Sequence, residues 1–171
     1  IAFRATDNFS LGFALHMDYA SLDLRNEASY GYGYGGQVGA IYQPTASWSL
    51  GINYVTPQEI DHKKVTDFDG DGSLDTLTLE SPQQLGLGVA YDFSGIDLLI
   101  EFDVKWLGWS SAKGYKDFDW EDQMVYAIGA QYKPTTKLAL RVGYNFAENP
   151  VKEHNNFVGN TLTTVQGKSL P

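Results

Sequence analysis

From Ile96 to Trp106 the chain alternates with a period of two. Ile96, Leu98, Ile100, Phe102, Val104 and Trp106 are large and apolar. The positions between them carry Asp97, Glu101, Asp103 and Lys105, with Leu99 the exception. Such a period places alternate side chains on opposite faces of a β-strand. The pattern recurs along the chain. Leu11, Phe13, Leu15, Met17 and Tyr19 are backed by Gly12, Ala14, His16 and Asp18. Tyr30, Tyr32, Tyr34, Val38, Ala40 and Tyr42 alternate with Gly31, Gly33, Gln37, Gly39, Ile41 and Gln43. Further rows run from Trp48 to Tyr54, Leu85 to Tyr91, Met124 to Tyr132 and Leu138 to Phe146, and a partial one opens the chain at Ile1 to Arg4. The spacing predicts about seven or eight strands and no helix.

Connections between the rows alternate in length. Short turns follow Arg4, Gln43, Tyr91 and Tyr132, and long polar segments follow Ala20, Val55, Leu107 and Phe146. Outer-membrane barrels have this arrangement, with short periplasmic turns and longer outer loops. Tyr19, Tyr42, Trp48, Tyr54, Tyr91, Trp106, Tyr132 and Tyr144 gather at row ends, where amphipathic rings meet a membrane interface. The faces behind the apolar rows are small or polar, which suits a barrel interior better than a soluble core. The pattern therefore predicts an all-β, antiparallel transmembrane β-barrel, apolar side outward.

Composition narrows the partners. The 171 residues carry a formal net charge of −9, which disfavours nucleic acid, and contain no cysteine for disulfides or thiolate metal sites. No apolar run reaches the length of a membrane helix, a limit that does not apply to strands. The chain opens inside a strand at Ile1 and closes at Pro171 in polar sequence, so it is expected to be part of a longer protein.

The run Gly39-Ala40-Ile41-Tyr42-Gln43-Pro44-Thr45 leading to Leu50-Gly51-Ile52-Asn53-Tyr54 resembles the FadL-like family of outer-membrane transporters for long-chain fatty acids and hydrocarbons. So do Ser81 to Gly88, Asp103-Val104-Lys105-Trp106 with Trp109-Ser110-Ser111, Tyr126 to Tyr132, and Arg141-Val142-Gly143-Tyr144 leading to Glu148-Asn149-Pro150-Val151. The resemblance spans roughly Ser10 to Val151. It implies a barrel of about fourteen strands plugged by an N-terminal hatch, within the known range of outer-membrane barrels. It also implies passive uptake of hydrophobic molecules with sideways release into the membrane. On this reading residues 1–171 form a single β-barrel domain fragment without the hatch, the early strands and the closing strand. The expected partners are membrane lipid and hydrophobic small molecules such as fatty acids, with the oligomeric state open. The alternative is a porin-like or adhesin-like barrel that binds a partner through its long loops.

Inward apolar residues Ile41, Val55, Leu99 and Val125, with Trp109 in a loop, are candidates to line a hydrophobic path or to pack against a plug. The loop aromatics Phe68, Trp109, Tyr115, Phe118 and Trp120 suit either ligand capture or pinning of the loops. Asp67-Phe68-Asp69-Gly70-Asp71-Gly72-Ser73-Leu74-Asp75 matches the first part of a Ca²⁺ loop, making Asp67, Asp69, Asp71 and Asp75 candidate ligands of a structural Ca²⁺. The twelfth position is Thr78 where an EF-hand has Glu, with Glu80 the nearest substitute; a solvated acidic loop explains the run equally well. No cofactor is required. Glu101 and Asp103 are read as partners of Lys105, Arg141 or Arg4 across the barrel rather than as a catalytic pair; His16 is read as a hydrogen-bonded lumen residue rather than a ligand, and His62 and His154 carry no partner motif. No constellation for catalysis is present, so the chain is expected not to be an enzyme.

Overall fold

The computed structural model describes residues 1–24, 28–68 and 70–151. His154 and Asp69 lie outside the described residues. The strands are β1 (Ala2–Thr6), β2 (Phe9–Asp23), β3 (Ala28–Tyr42), β4 (Trp48–Val55), β5 (Gln58–Thr66), β6 (Asp75–Ser81), β7 (Gln84–Phe93), β8 (Leu98–Leu107), β9 (Gln123–Thr135) and β10 (Leu138–Ala147). Eight of them form one sheet in the order β1-β2-β3-β4-β7-β8-β9-β10, every neighbouring pair antiparallel. The only helical pieces among the described residues are two 3₁₀ turns, Trp109–Ser111 and Lys116–Phe118.

The register keeps each face chemically uniform across the sheet. Leu50 pairs with Val89, Val89 with Phe102, Phe102 with Ile128 and Ile128 with Tyr144. One residue away, Ser10, Ile41, Gly51, Gly88, Asp103, Ala127 and Asn145 make the matching row on the other face. A slip of one residue between any two strands would mix the faces, so the alternation itself specifies the register.

The apolar face is not covered by protein. Leu15 is 88% exposed, Val142 74% and Met17 67%, whereas the buried hydrophobic residues among those described are Ile60, Val65 and Ala112. An apolar surface that spans the whole sheet is incompatible with water and is what a lipid-facing wall presents. The other face rolls inward, so that Ile1 and Ala2 at one edge and Asn145 at the other line a common trough.

Two segments expected as loop prove to be strand. β2 and β3 each run 15 residues, well beyond the nine to eleven needed to cross a membrane, and take in much of the Ser21 to Ser29 stretch. The long segment from Thr56 to Gln83 contains the β5–β6 hairpin, which lies on the inner face of β3. Gly31, Gly33 and Gly35 make that approach possible. A Cβ on Gly31 would lie 2.8 Å from the Asp61 carbonyl oxygen, and one on Gly33 would lie 2.8 Å from Ile60 Cγ1. Glycine in a strand often marks such a close approach by a second backbone.

Candidate functional site

The inner face forms an open trough of about 940 Å³. Its floor is mostly small and neutral: Ala14, Gly39, Gly51, Gly86, Gly88, Ala90 and Ala127, with Ile41 and Val125 as larger apolar side chains. Asn53, Glu101, Asp103 and Lys105 supply a polar band. The glycines leave room for these groups: Asn53 occupies the space a Cβ on Gly86 would take, and the Asp103 carboxylate does the same over Gly88.

The sequence-predicted lining residues divide. Ile41 and Val125 line the trough. Val55 sits at its outer margin, in one row with Gln37 and Gln84, without lining it, and Leu99 sits near the inner turn, paired with Asp92 and Gln131. Trp109 is in the 108–122 segment, packed with Tyr115 and Trp120, each pair of rings 4.9 Å apart. These three rings pack on one another, and burial pushes the Tyr115 phenol above its ordinary pKa. Phe68, 60% exposed, does not join them.

The charged residues of the floor also depart from expectation. Among the described residues the ion pairs are Arg4 with Asp7 and Lys113 with Glu59. Neither Glu101 nor Asp103 pairs with Lys105, Arg141 or Arg4: the Arg141 guanidinium donates to Gln131 Oε1 at 2.7 Å, and Arg4 turns to its own turn, donating to the Asp7 carbonyl at 2.7 Å. Each of the two arginines finds an acceptor in its own turn or on the neighbouring strand.

Above the trough the chain builds a roof. Along β3, Ile41, Gly39 and Gln37 line the trough, and Gly35, Gly33 and Gly31 directly beyond them seat β5. Gln58 Nε2 lies 3.4 Å from His16 Nδ1, and His62 Nδ1 lies 3.4 Å from the Ser29 carbonyl. The 108–122 segment lies along β6, where the Glu80 amide donates to the Lys113 carbonyl at 3.1 Å. Asp122 closes this segment on itself, accepting from Trp106 Nε1 at 3.1 Å and from the Ser110 amide and hydroxyl at 3.0 and 2.6 Å. Sequence reasoning offered the pinning of the 108–122 aromatics but neither the hairpin nor its seat on β3. The available signals were the Tyr-Gly alternation of β3 and the weak alternations of Ile60 with His62 and Leu77 with Leu79.

A family model described as outer membrane protein transport protein (OMPP1/FadL/TodX) matches residues 22–158. The chain belongs to this family. Among solved structures it resembles the TodX deltaS2S3 mutant monoaromatic hydrocarbon channel, with a TM-score of 0.65 at 19% identity over 89% of this chain and 54% of that one. The Ralstonia pickettii toluene transporter TbuX follows at 0.64 and 18%, over 86% and 53%. A Pseudomonas aeruginosa FadL homologue gives 0.62 and 16%, over 87% and 48%. The chain spans about half the length of the solved structures it resembles. Among curated protein sequences none matches.

For a member of the OMPP1/FadL/TodX family the uncovered apolar face has its explanation: it is the bilayer side of an outer-membrane wall, and the trough is the interior side. Family membership also agrees with the expectation of a transport protein rather than an enzyme. The acidic turn holds Asp67, Asp71 and Asp75 of the candidate Ca²⁺ loop among the described residues. Asp67 accepts from the Gly70 and Gly72 amides at 2.6 and 2.9 Å, Asp75 from the Phe68 amide at 2.9 Å, and Asp71 from the Ser73 amide at 2.8 Å. Among the described residues no three potential metal ligands converge. Glu80, the substitute for the missing twelfth ligand, is instead the cross-strand partner of Glu59 on the hairpin.

Proposed function

We propose that this chain forms part of the wall of a passive outer-membrane channel for hydrophobic compounds, with long-chain fatty acids as cargo. The observation that carries the reading is a trough of about 940 Å³ floored by glycine, alanine, Ile41 and Val125 behind an uncovered lipid-facing surface. A water-filled pore has no use for apolar side chains on its inner wall. Lys105, at the outer end of the polar band and outside the ion pairs of the described residues, offers a cation to a carboxylate. The names of the relatives, which include toluene transporters and a monoaromatic hydrocarbon channel, support hydrophobic cargo in general and make the aromatic ring the competing substrate. No step needs bond chemistry: cargo partitions onto apolar surface and moves down its gradient, with sideways release into the bilayer as the family resemblance implies. The sheet itself is proposed to be one stretch of a larger barrel whose other strands and plug lie outside this chain.

The test is uptake by cells that depend on the complete protein. Ile41→Glu combined with Val125→Glu is expected to cut oleate uptake several-fold while the protein still reaches the outer membrane in normal amount. Unchanged oleate uptake, or loss of toluene uptake alone, overturns the fatty-acid reading.

A further inference from the structure

The roof formed by β5, β6 and the 108–122 segment carries a charge imbalance of its own. Glu59 and Glu80 are directly opposed across the β5–β6 hairpin. Like charges so placed oppose strand pairing. Lys113 faces them: its Nζ lies 2.5 Å from Glu59 Oε1, delivered by the segment whose carbonyl at Lys113 accepts from the Glu80 amide. Gly114, at φ +83°, locks that segment down, since a Cβ there would lie 2.9 Å from the Thr78 carbonyl oxygen. We propose that Glu59, Glu80 and Lys113 make the roof pH-responsive: it is tight when Glu80 is protonated, it loosens as pH rises, and Lys113 limits how far.

The chemistry rests on counting charges. With Glu80 neutral, Lys113 and Glu59 form a simple ion pair. With Glu80 ionised, two carboxylates share one ammonium. Asp61 lies on the same face and adds a third acid, partly satisfied by the Thr78 hydroxyl at 2.6 Å; Lys63 alternates onto this face nearer the hairpin tip. His62, and His16 of β2 against Gln58, belong to the opposite face, toward β3. Glu80 is buried, and that burial, followed by the charge of Glu59, holds its carboxyl above the ordinary carboxylate range, with Lys113 pulling the other way. A carboxyl raised in the folded hairpin favours folding when protonated. That stability is present below the ordinary carboxylate range and is lost as pH rises through the raised value. Removing Lys113 raises the carboxyl further and deepens the loss.

Hydrogen exchange on the complete protein in detergent tests this, with rates corrected for the intrinsic pH dependence. Protection across β5 and β6 is expected to fall about threefold or more between about pH 5 and about pH 8. Strands β7 and β8 should stay constant over the same range. Glu80→Gln should abolish the dependence, Lys113→Met should steepen it, and the double variant should be flat. The proposal is overturned if the wild-type hairpin is flat, if Glu80→Gln is as steep as wild type, or if β7 and β8 follow the same profile. None of these readouts involves cargo, so the result stands apart from the identity of what the channel carries.

Discussion

Single residues decide how closely the inner layer approaches the wall. On β3, Tyr30, Tyr32 and Tyr34 occupy the outer face, and Tyr30 and Tyr32 pack on Tyr19 of β2 at 5.9 and 5.3 Å between ring centres. Behind them the glycines leave the backbone bare for β5. Gly33→Val would drive its side chain into Ile60 Cγ1 and the Glu59 carbonyl, which a Cβ alone would meet at 2.8 and 3.0 Å. Overpacking of this kind costs about 1–3 kcal/mol. The hairpin should lift, and trypsin should cut faster at Lys63 and Lys64, while heat-modifiable migration of the whole barrel stays the same. Unchanged cleavage would mean that the glycines are not the seat. The tyrosines were legible in the sequence as one face of a strand. The purpose of the glycines was not, because a missing side chain does not name the backbone that fills its place.

Among the elements, the membrane strands announce themselves and the hairpin does not. β7 and β8 carry an unbroken apolar row because lipid accepts nothing else on that side. β5 instead alternates Gln58, Ile60 and His62 with Glu59, Asp61 and Lys63, so both of its faces are partly polar, and its pairing shifts register between His62 and Thr66. The periodic signal is lost twice over. The turn beyond it reads as a metal loop because aspartates at alternate positions serve two purposes: binding a cation and accepting the amides of a tight turn. Here Gly70 and Gly72 adopt φ +81° and +89°, and Asp67 accepts both of their amides. Asp67→Ala should loosen the turn by about 1 kcal/mol and expose it to proteolysis, the ordinary net worth of a hydrogen bond. EDTA on the unsubstituted protein should change nothing. Chelator-induced cleavage near residues 67–75 would instead support the Ca²⁺ reading.

At the level of the whole molecule the usual relation of core to surface is inverted, and this explains which site residues could be read in advance. Any inward apolar residue looks like lining in the sequence, but only position along the strand decides. Ile41 and Val125 fall within the trough, while Val55 falls at its outer margin and Leu99 past its inner end. The same inversion gives the sharpest test of the face assignment. Phe102 lies in the row Leu50, Val89, Phe102, Ile128, Tyr144, near the middle of its strand on the lipid side, and Glu101 precedes it on the trough side. Arginine on the lipid face near the bilayer midplane costs about 2–4 kcal/mol, because its charge must be drawn out of hydrocarbon. Glu101→Arg exchanges one charge for another where water or polar groups already meet it, and its cost should be near zero. Urea unfolding of the complete protein in lipid vesicles should therefore separate two neighbouring substitutions to the same residue: Phe102→Arg strongly destabilised, Glu101→Arg close to wild type. Equal losses at both sites, or the larger loss at Glu101, would place the acids toward lipid and reverse the sidedness of the entire sheet.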